Sequence, residues 1–216
     1  MILTVGDSFT YGEELSNRTI SAWPYLIGQQ LNKTVTNLGK SGASNTYIFR
    51  TTIEAIARQA YDLVVVQWTD PSRIEISDST GNAYNITANV GQKLMPGPCR
   101  VDWVKELYAN YYSDAYNYKM WSCYVLALQD LFKFRKQPYV MINLAGLKEY
   151  YTENFKHLAH IWNHVDSDYF VGWPTDGILD IQGDCPRGSG GHPLELGHER
   201  IATRIYEYIR DIGWVS

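Results

Sequence analysis

Ser8 and His192 are the residues whose types and settings best suit bond-making chemistry in this chain. A serine hydroxyl is a poor nucleophile until a base takes its proton. Histidine is the usual base, and it must come within hydrogen-bond reach. Ser8 ends the tripeptide Gly6-Asp7-Ser8, directly after the apolar run Met1 to Val5. A strand that stops abruptly at a serine holds a hydroxyl at the rim of a sheet. His192 follows the glycine-rich run Gly188-Ser-Gly-Gly191 and precedes Pro193, a loop suited to presenting a ring at such a rim. Of the other histidines, His157, His160 and His164 read as one polar helix face, because zinc would need closer convergence and a further ligand. His198 falls inside a helix and reads as structural. Arg73 is placed to meet an anionic group, but an ion pair with Glu75 or Asp70 is the plainer expectation.

Strands alternating with helices must position these groups. Ile2 to Val5, Thr34 to Leu38, Asp62 to Trp68, Tyr139 to Asn143 and Asp168 to Val171 read as strands. The near-continuous apolar run ending at Trp68 fits a central parallel strand covered on both faces. Helices are expected from Ser21 to about Leu31, with Pro24 tolerated in the first turn, and from Asn45 to about Ala60. Others follow over Trp103 to Arg135, with a break near Ser113 to Asn117, over Thr152 to His164, and over Leu194 to Arg210. Between about residues 74 and 102 the periodicity fails, and glycines and prolines mark an irregular excursion with a hairpin in it. This order calls for an α/β protein: a three-layer α/β/α sandwich around a central parallel sheet of about five strands, in one domain over 1–216. Ligands bind beyond the carboxyl ends of such strands. The loops holding Ser8, Gly39 to Asn45, Thr69 and His192 converge there.

Bulk composition narrows the partners. A net charge of -4 gives no basic surplus for nucleic acid or anionic lipid. No apolar run is long enough for a membrane span, and no secretory signal is read at the N-terminus. Three cysteines, Cys99, Cys123 and Cys185, leave at least one unpaired within the chain, so a disulfide scaffold is not expected and a reducing cytoplasm is.

Four blocks together resemble the SGNH, or GDSL-type, hydrolases, whose fold is flavodoxin-like. Gly6-Asp7-Ser8 resembles the nucleophile block. Asn37-Leu-Gly39-Lys-Ser-Gly42-Ala-Ser44 resembles the second block, whose glycine gives a backbone N–H to the oxyanion; the role maps to Gly42, with Gly39 second. Trp68-Thr69-Asp70 stands in place of the third block, and His192-Pro193-Leu-Glu-Leu-Gly197-His198 resembles the last, which supplies the base. The resemblance implies a serine esterase acting on short acyl esters, those of carbohydrates among them, without metal or organic cofactor.

Two positions depart from the family pattern. Thr69 stands where an asparagine amide would help hold the oxyanion, and a threonine hydroxyl can offer one hydrogen bond in its place. Ser189 stands three residues before His192, where the family carries the aspartate that orients the ring. Either another carboxylate serves, Asp184 being nearest and Asp176 and Asp180 more distant; or a backbone carbonyl orients a Ser-His dyad; or activity is lost. The last case would leave a binding or structural component of a larger assembly.

Overall fold

A computed structural model of the chain describes residues 1–86, 101–147 and 158–214. Five strands form one parallel sheet: β1 (Ile2–Val5), β2 (Val35–Asn37), β3 (Leu63–Trp68), β6 (Tyr139–Asn143) and β7 (Phe170–Val171), in the order β2-β1-β3-β6-β7. All three middle strands are fully buried along their length, which is why their sequences read as apolar runs rather than alternating ones.

Alternate residues of these strands feed two cores. Leu3, Val5, Val64, Val66, Trp68 and Met141 pack against α4 (Asn45–Arg58) and α6 (Asp114–Arg135). Ile2, Leu63, Val65, Val140 and Ile142 pack against α3 (Trp23–Gln30), α8 (Ile178–Gln182) and α9 (Glu195–Asp211). The result is the expected three-layer α/β/α sandwich. Ile201, Ile205 and Ile209, one helical turn apart, are fully buried, so truncating one to alanine should cost about 2–5 kcal/mol.

Local chemistry sets the ends of these elements. Ser44 caps α4 by accepting the Tyr47 N–H, and Ser113 caps α6 by accepting that of Tyr116. The long expected helix is therefore two, α5 (Val101–Asn110) and α6, broken at Ser113 as the sequence suggested. The excursion contains the expected hairpin, β4 (Ile74–Ser77) with β5 (Ala83–Ile86), antiparallel. Its remainder up to residue 100, Cys99 included, lies outside the described residues, as do residues 148–157, which hold His157 and the first part of the helix expected over Thr152 to His164. Three further short helices, α1 (Ser8–Tyr11), α2 (Arg18–Ser21) and α7 (Ala159–Trp162), complete the set used below.

The chain leaves β1 for β2 on one side and later returns to β3 on the other. The carboxyl ends of β1 and β3 thus flank the point where the connections reverse, where a crevice opens in such sheets. Ser8 follows β1 and Thr69 follows β3.

Candidate active site

Ser8 opens α1 directly beyond β1, and it is buried, with 3% of its surface exposed. Asp7 caps this turn, its Oδ1 accepting the Phe9 N–H at 2.9 Å. Gln67, buried in β3, braces the turn from beneath: its Oε1 accepts the Asp7 N–H at 3.0 Å and the Thr10 hydroxyl at 2.9 Å. Gly6 is needed there because a Cβ would lie 2.6 Å from that same Oε1. The loop after β2 closes over the turn, with the Lys40 N–H donating to Gly6 O at 3.1 Å.

His192 arrives from the far end of the sequence. Its imidazole packs on the ring of Phe9, the neighbour of Ser8, with centroids 5.4 Å apart. Its Nδ1 lies 3.0 Å from Oε2 of Glu14, a residue on the loop that leaves α1. A carboxylate can only accept, so Nδ1 carries a proton, and in the neutral ring Nε2 is the nitrogen that keeps its lone pair. That is the form in which a histidine can take a proton from an alcohol.

Glu14 is held from several directions. Its carboxylate also accepts the Ser189 hydroxyl at 3.1 Å, the Gly190 N–H at 2.6 Å and the His192 N–H at 3.0 Å. The Gly190 and His192 N–H groups, more than the imidazole and hydroxyl, hold its pKa down at about 2. Its backbone sits in the left-handed region, at φ 67°, which non-glycine residues rarely adopt.

No family model matches the chain, and no curated protein does. Among solved structures, the psychrotrophic esterase EstA from Pseudoalteromonas sp. superposes with a TM-score of 0.57 at 13% identity, covering 97% of this chain and 96% of that one. A lipolytic-type protein of the G-D-S-L family from Desulfitobacterium hafniense gives 0.53 at 12% identity, over 96% and 98%. The acetyl xylan esterase Est2A from Butyrivibrio proteoclasticus gives 0.52 at 12% identity; this chain is covered completely but spans 64% of that one. The chain has the SGNH-hydrolase fold.

Gly42 lies in the loop after β2 with φ 71°, and Gly39 donates its N–H to Asn37 Oδ1 at 2.9 Å. The Thr69 hydroxyl, expected to face an oxyanion, donates to Asp7 Oδ2 at 2.7 Å. Asp184 likewise is not the acid beside His192. It is exposed, and it is its main-chain carbonyl that is used, accepting from Arg200 at 3.1 Å. Asp180 accepts the N–H groups of Gly177 at 2.9 Å and Gly146 at 3.2 Å. Arg73 pairs with neither Glu75 nor Asp70 but with buried Asp7, at 3.0 Å, while Glu75 is taken by Arg50. His160 and His164 are exposed, and among the described residues no group of three or more His, Cys, Asp or Glu could hold a metal ion.

A cavity of about 90 Å³ opens beside Thr69, beyond the carboxyl ends of β3 and β6, with Pro71, Trp121, Asn143, Leu147 and Leu179 among its walls. Little in the pattern of residues pointed to Glu14, whose partner lies 178 residues away. One signal was available: glycines at 188, 190 and 191 around the place where an acid was expected make room for something to enter.

Proposed function

We propose that this chain is a serine ester hydrolase acting on short-chain acyl esters. The observation that carries the reading is His192, proton on Nδ1, packed against Phe9 beside Ser8. Ser8 Oγ attacks the acyl carbonyl carbon while His192 Nε2 takes its proton. The oxyanion that forms is held by the backbone N–H groups of Ser8 and Gly42. As the tetrahedral species collapses, the imidazolium returns the proton to the departing alcohol, leaving an acyl-serine. Water, deprotonated by the same Nε2, then releases the acid and restores Ser8.

The cavity beside Thr69 opens on the same carboxyl-end rim of the sheet as Ser8, where the acyl group would be received. The likeness in fold to an acetyl xylan esterase and the aromatic-rich composition favour a carbohydrate as the alcohol half. With Thr69 engaged by Asp7, one oxyanion donor is missing relative to the family pattern, and such a loss typically slows turnover about 10²- to 10³-fold. That same engagement favours, as the second reading, a binding component that has given up catalysis.

The test is hydrolysis of nitrophenyl acetate and of a panel of acetylated sugars, with labelling by a serine-directed fluorophosphonate. Turnover and labelling that disappear in Ser8→Ala are expected. A wild-type rate equal to that of Ser8→Ala, with no label taken up, would leave the binding reading in its place.

A further inference from the structure

Ser189 occupies the position at which the resemblance implies the acid of the triad, and its hydroxyl donates to Glu14 Oε1 at 3.1 Å. The other oxygen of the same carboxylate, Oε2, reaches His192 Nδ1 at 3.0 Å. Thus the side chain standing where the aspartate would be now holds its replacement in place.

We infer that Glu14 is the positioning residue for His192: the acid has moved from the histidine's own loop to the nucleophile's, and the run Gly188-Ser189-Gly190-Gly191 is its socket. The inference deepens the esterase reading and rests on it for the rate effects below.

Several independent features converge on it. The carboxylate is saturated from one side by the socket's own groups, the Gly190 and His192 N–H and the Ser189 hydroxyl. Gly188 and Gly190 leave room for it. A Cβ on Gly188 would lie 2.4 Å from the Glu14 carboxyl carbon, and one on Gly190 would lie 3.0 Å from Oε2. The loop is folded back on itself to form the recess, the Gly188 N–H donating to His192 O at 2.9 Å and the Gly191 N–H to Gly188 O at 3.0 Å. Glu14 itself is in the left-handed backbone region, and its side chain is 18% exposed. A strained, largely enclosed glutamate with every bond aimed at one loop is what a group retained for a site role looks like. In bonding terms its task is to fix the Nδ1–H tautomer, aim Nε2 at Ser8, and stabilise the imidazolium during proton transfer.

Three variants test it: Glu14→Gln, Glu14→Ala, and Glu14→Ala combined with Ser189→Asp. Two readouts are taken, steady-state hydrolysis of nitrophenyl acetate and the low-field Nδ1–H resonance of ¹⁵N-histidine-labelled protein. Glu14→Gln should lower kcat by up to ~10⁴-fold, as the equivalent change does in a serine protease triad, with KM little altered. The Nδ1–H resonance assigned to His192 should be present in the wild type and lost in Glu14→Gln and Glu14→Ala. Restoring a carboxylate through Ser189→Asp in the Glu14→Ala background should recover both the resonance and part of kcat, which a merely structural role for Glu14 would not allow. If the resonance is the same in the wild type and Glu14→Gln, the inference fails, whatever the rates. If the wild type shows no Ser8-dependent turnover, the esterase reading fails, and the resonance alone still decides whether Glu14 positions the ring.

Discussion

Thr69 donates its hydroxyl proton to Asp7 Oδ2 across 2.7 Å, and the two side chains are 4% and 0% exposed. The carboxylate that caps the Ser8 turn is thereby tied to the end of β3. Thr69→Val keeps the shape and removes the donor, so Asp7 loses one of its buried partners. Urea unfolding should show a loss of about 1–3 kcal/mol, and Thr69→Ser should recover most of it. An unchanged midpoint in Thr69→Val would mean that this bond contributes nothing to holding the turn.

Arg73 is the second partner on the same oxygen, at 3.0 Å, and only 19% of its side chain is exposed. Removing one member of a buried pair strands the other charge. Arg73→Ala should therefore destabilise the fold by roughly 3–5 kcal/mol. The double variant Arg73→Ala with Asp7→Asn should be less damaged than Arg73→Ala alone, since no bare carboxylate remains. Chemical denaturation of the four proteins of the cycle measures this, and strict additivity would dismiss the pairing as an energetic link.

How legible was this in the sequence? Strand identity was written in the apolar runs, because Val64 to Val66 and Val140 to Ile142 are covered on both faces and no polar alternation interrupts them. Ser8 and His192 stood out as candidates because each stands at a sharp change of pattern, strand to Gly-Asp-Ser and glycine loop to helix. Glu14 was not. It is one acid in a polar stretch, its backbone conformation carries no compositional mark, and its partners are set by a closure of the chain far from it in sequence. The common partner of Thr69 and Arg73 was hidden for a related reason. Sequence can propose a donor, but only the packed turn shows that Asp7, buried, claims both.

Gly188 offers a way to disturb Glu14 without touching it. In Gly188→Ala the new methyl would meet the Glu14 carboxyl at 2.4 Å, and the carboxylate must shift although it is fixed by several bonds. Displacing a supporting group by about 1 Å can cost on the order of 100-fold in rate. Gly188→Ala should therefore lose most of its kcat while its circular dichroism spectrum stays that of the wild type. Gly191 has nothing within 4 Å of a built Cβ, although its φ of 86° makes any side chain strained there. Gly191→Asn, tolerant of that conformation, should be much milder than Gly188→Ala in the same assay. Equal losses in both would assign the effect to loop backbone rather than to contact with Glu14.

His198 sets a separate dependence on acidity. It is fully buried in α9, its Nδ1 accepts the Trp23 N–H at 3.2 Å, and burial lowers its pKa from 6.5 to about 4, with Glu195 opposing that shift and His192 adding to it. A proton on Nδ1 would face the Trp23 N–H donor against donor. The unfolded chain takes up this proton near pH 6.5, and the folded chain only near 4. Its contribution to stability is thus fully present above about pH 6.5 and drains away as the pH falls toward 4, by on the order of 3 kcal/mol. Glu14 acts lower, because its folded pKa of about 2 lies beneath the ordinary 4.5; the stability it confers is present above 4.5 and lost between there and 2. Replacing His198 with Asn, whose side-chain oxygen can still accept from Trp23, should flatten the fall between pH 6.5 and 4 and leave the lower one in place. Urea midpoints measured at half-unit steps of pH on both proteins decide it: parallel curves through the upper window would show that His198 is not the group responsible.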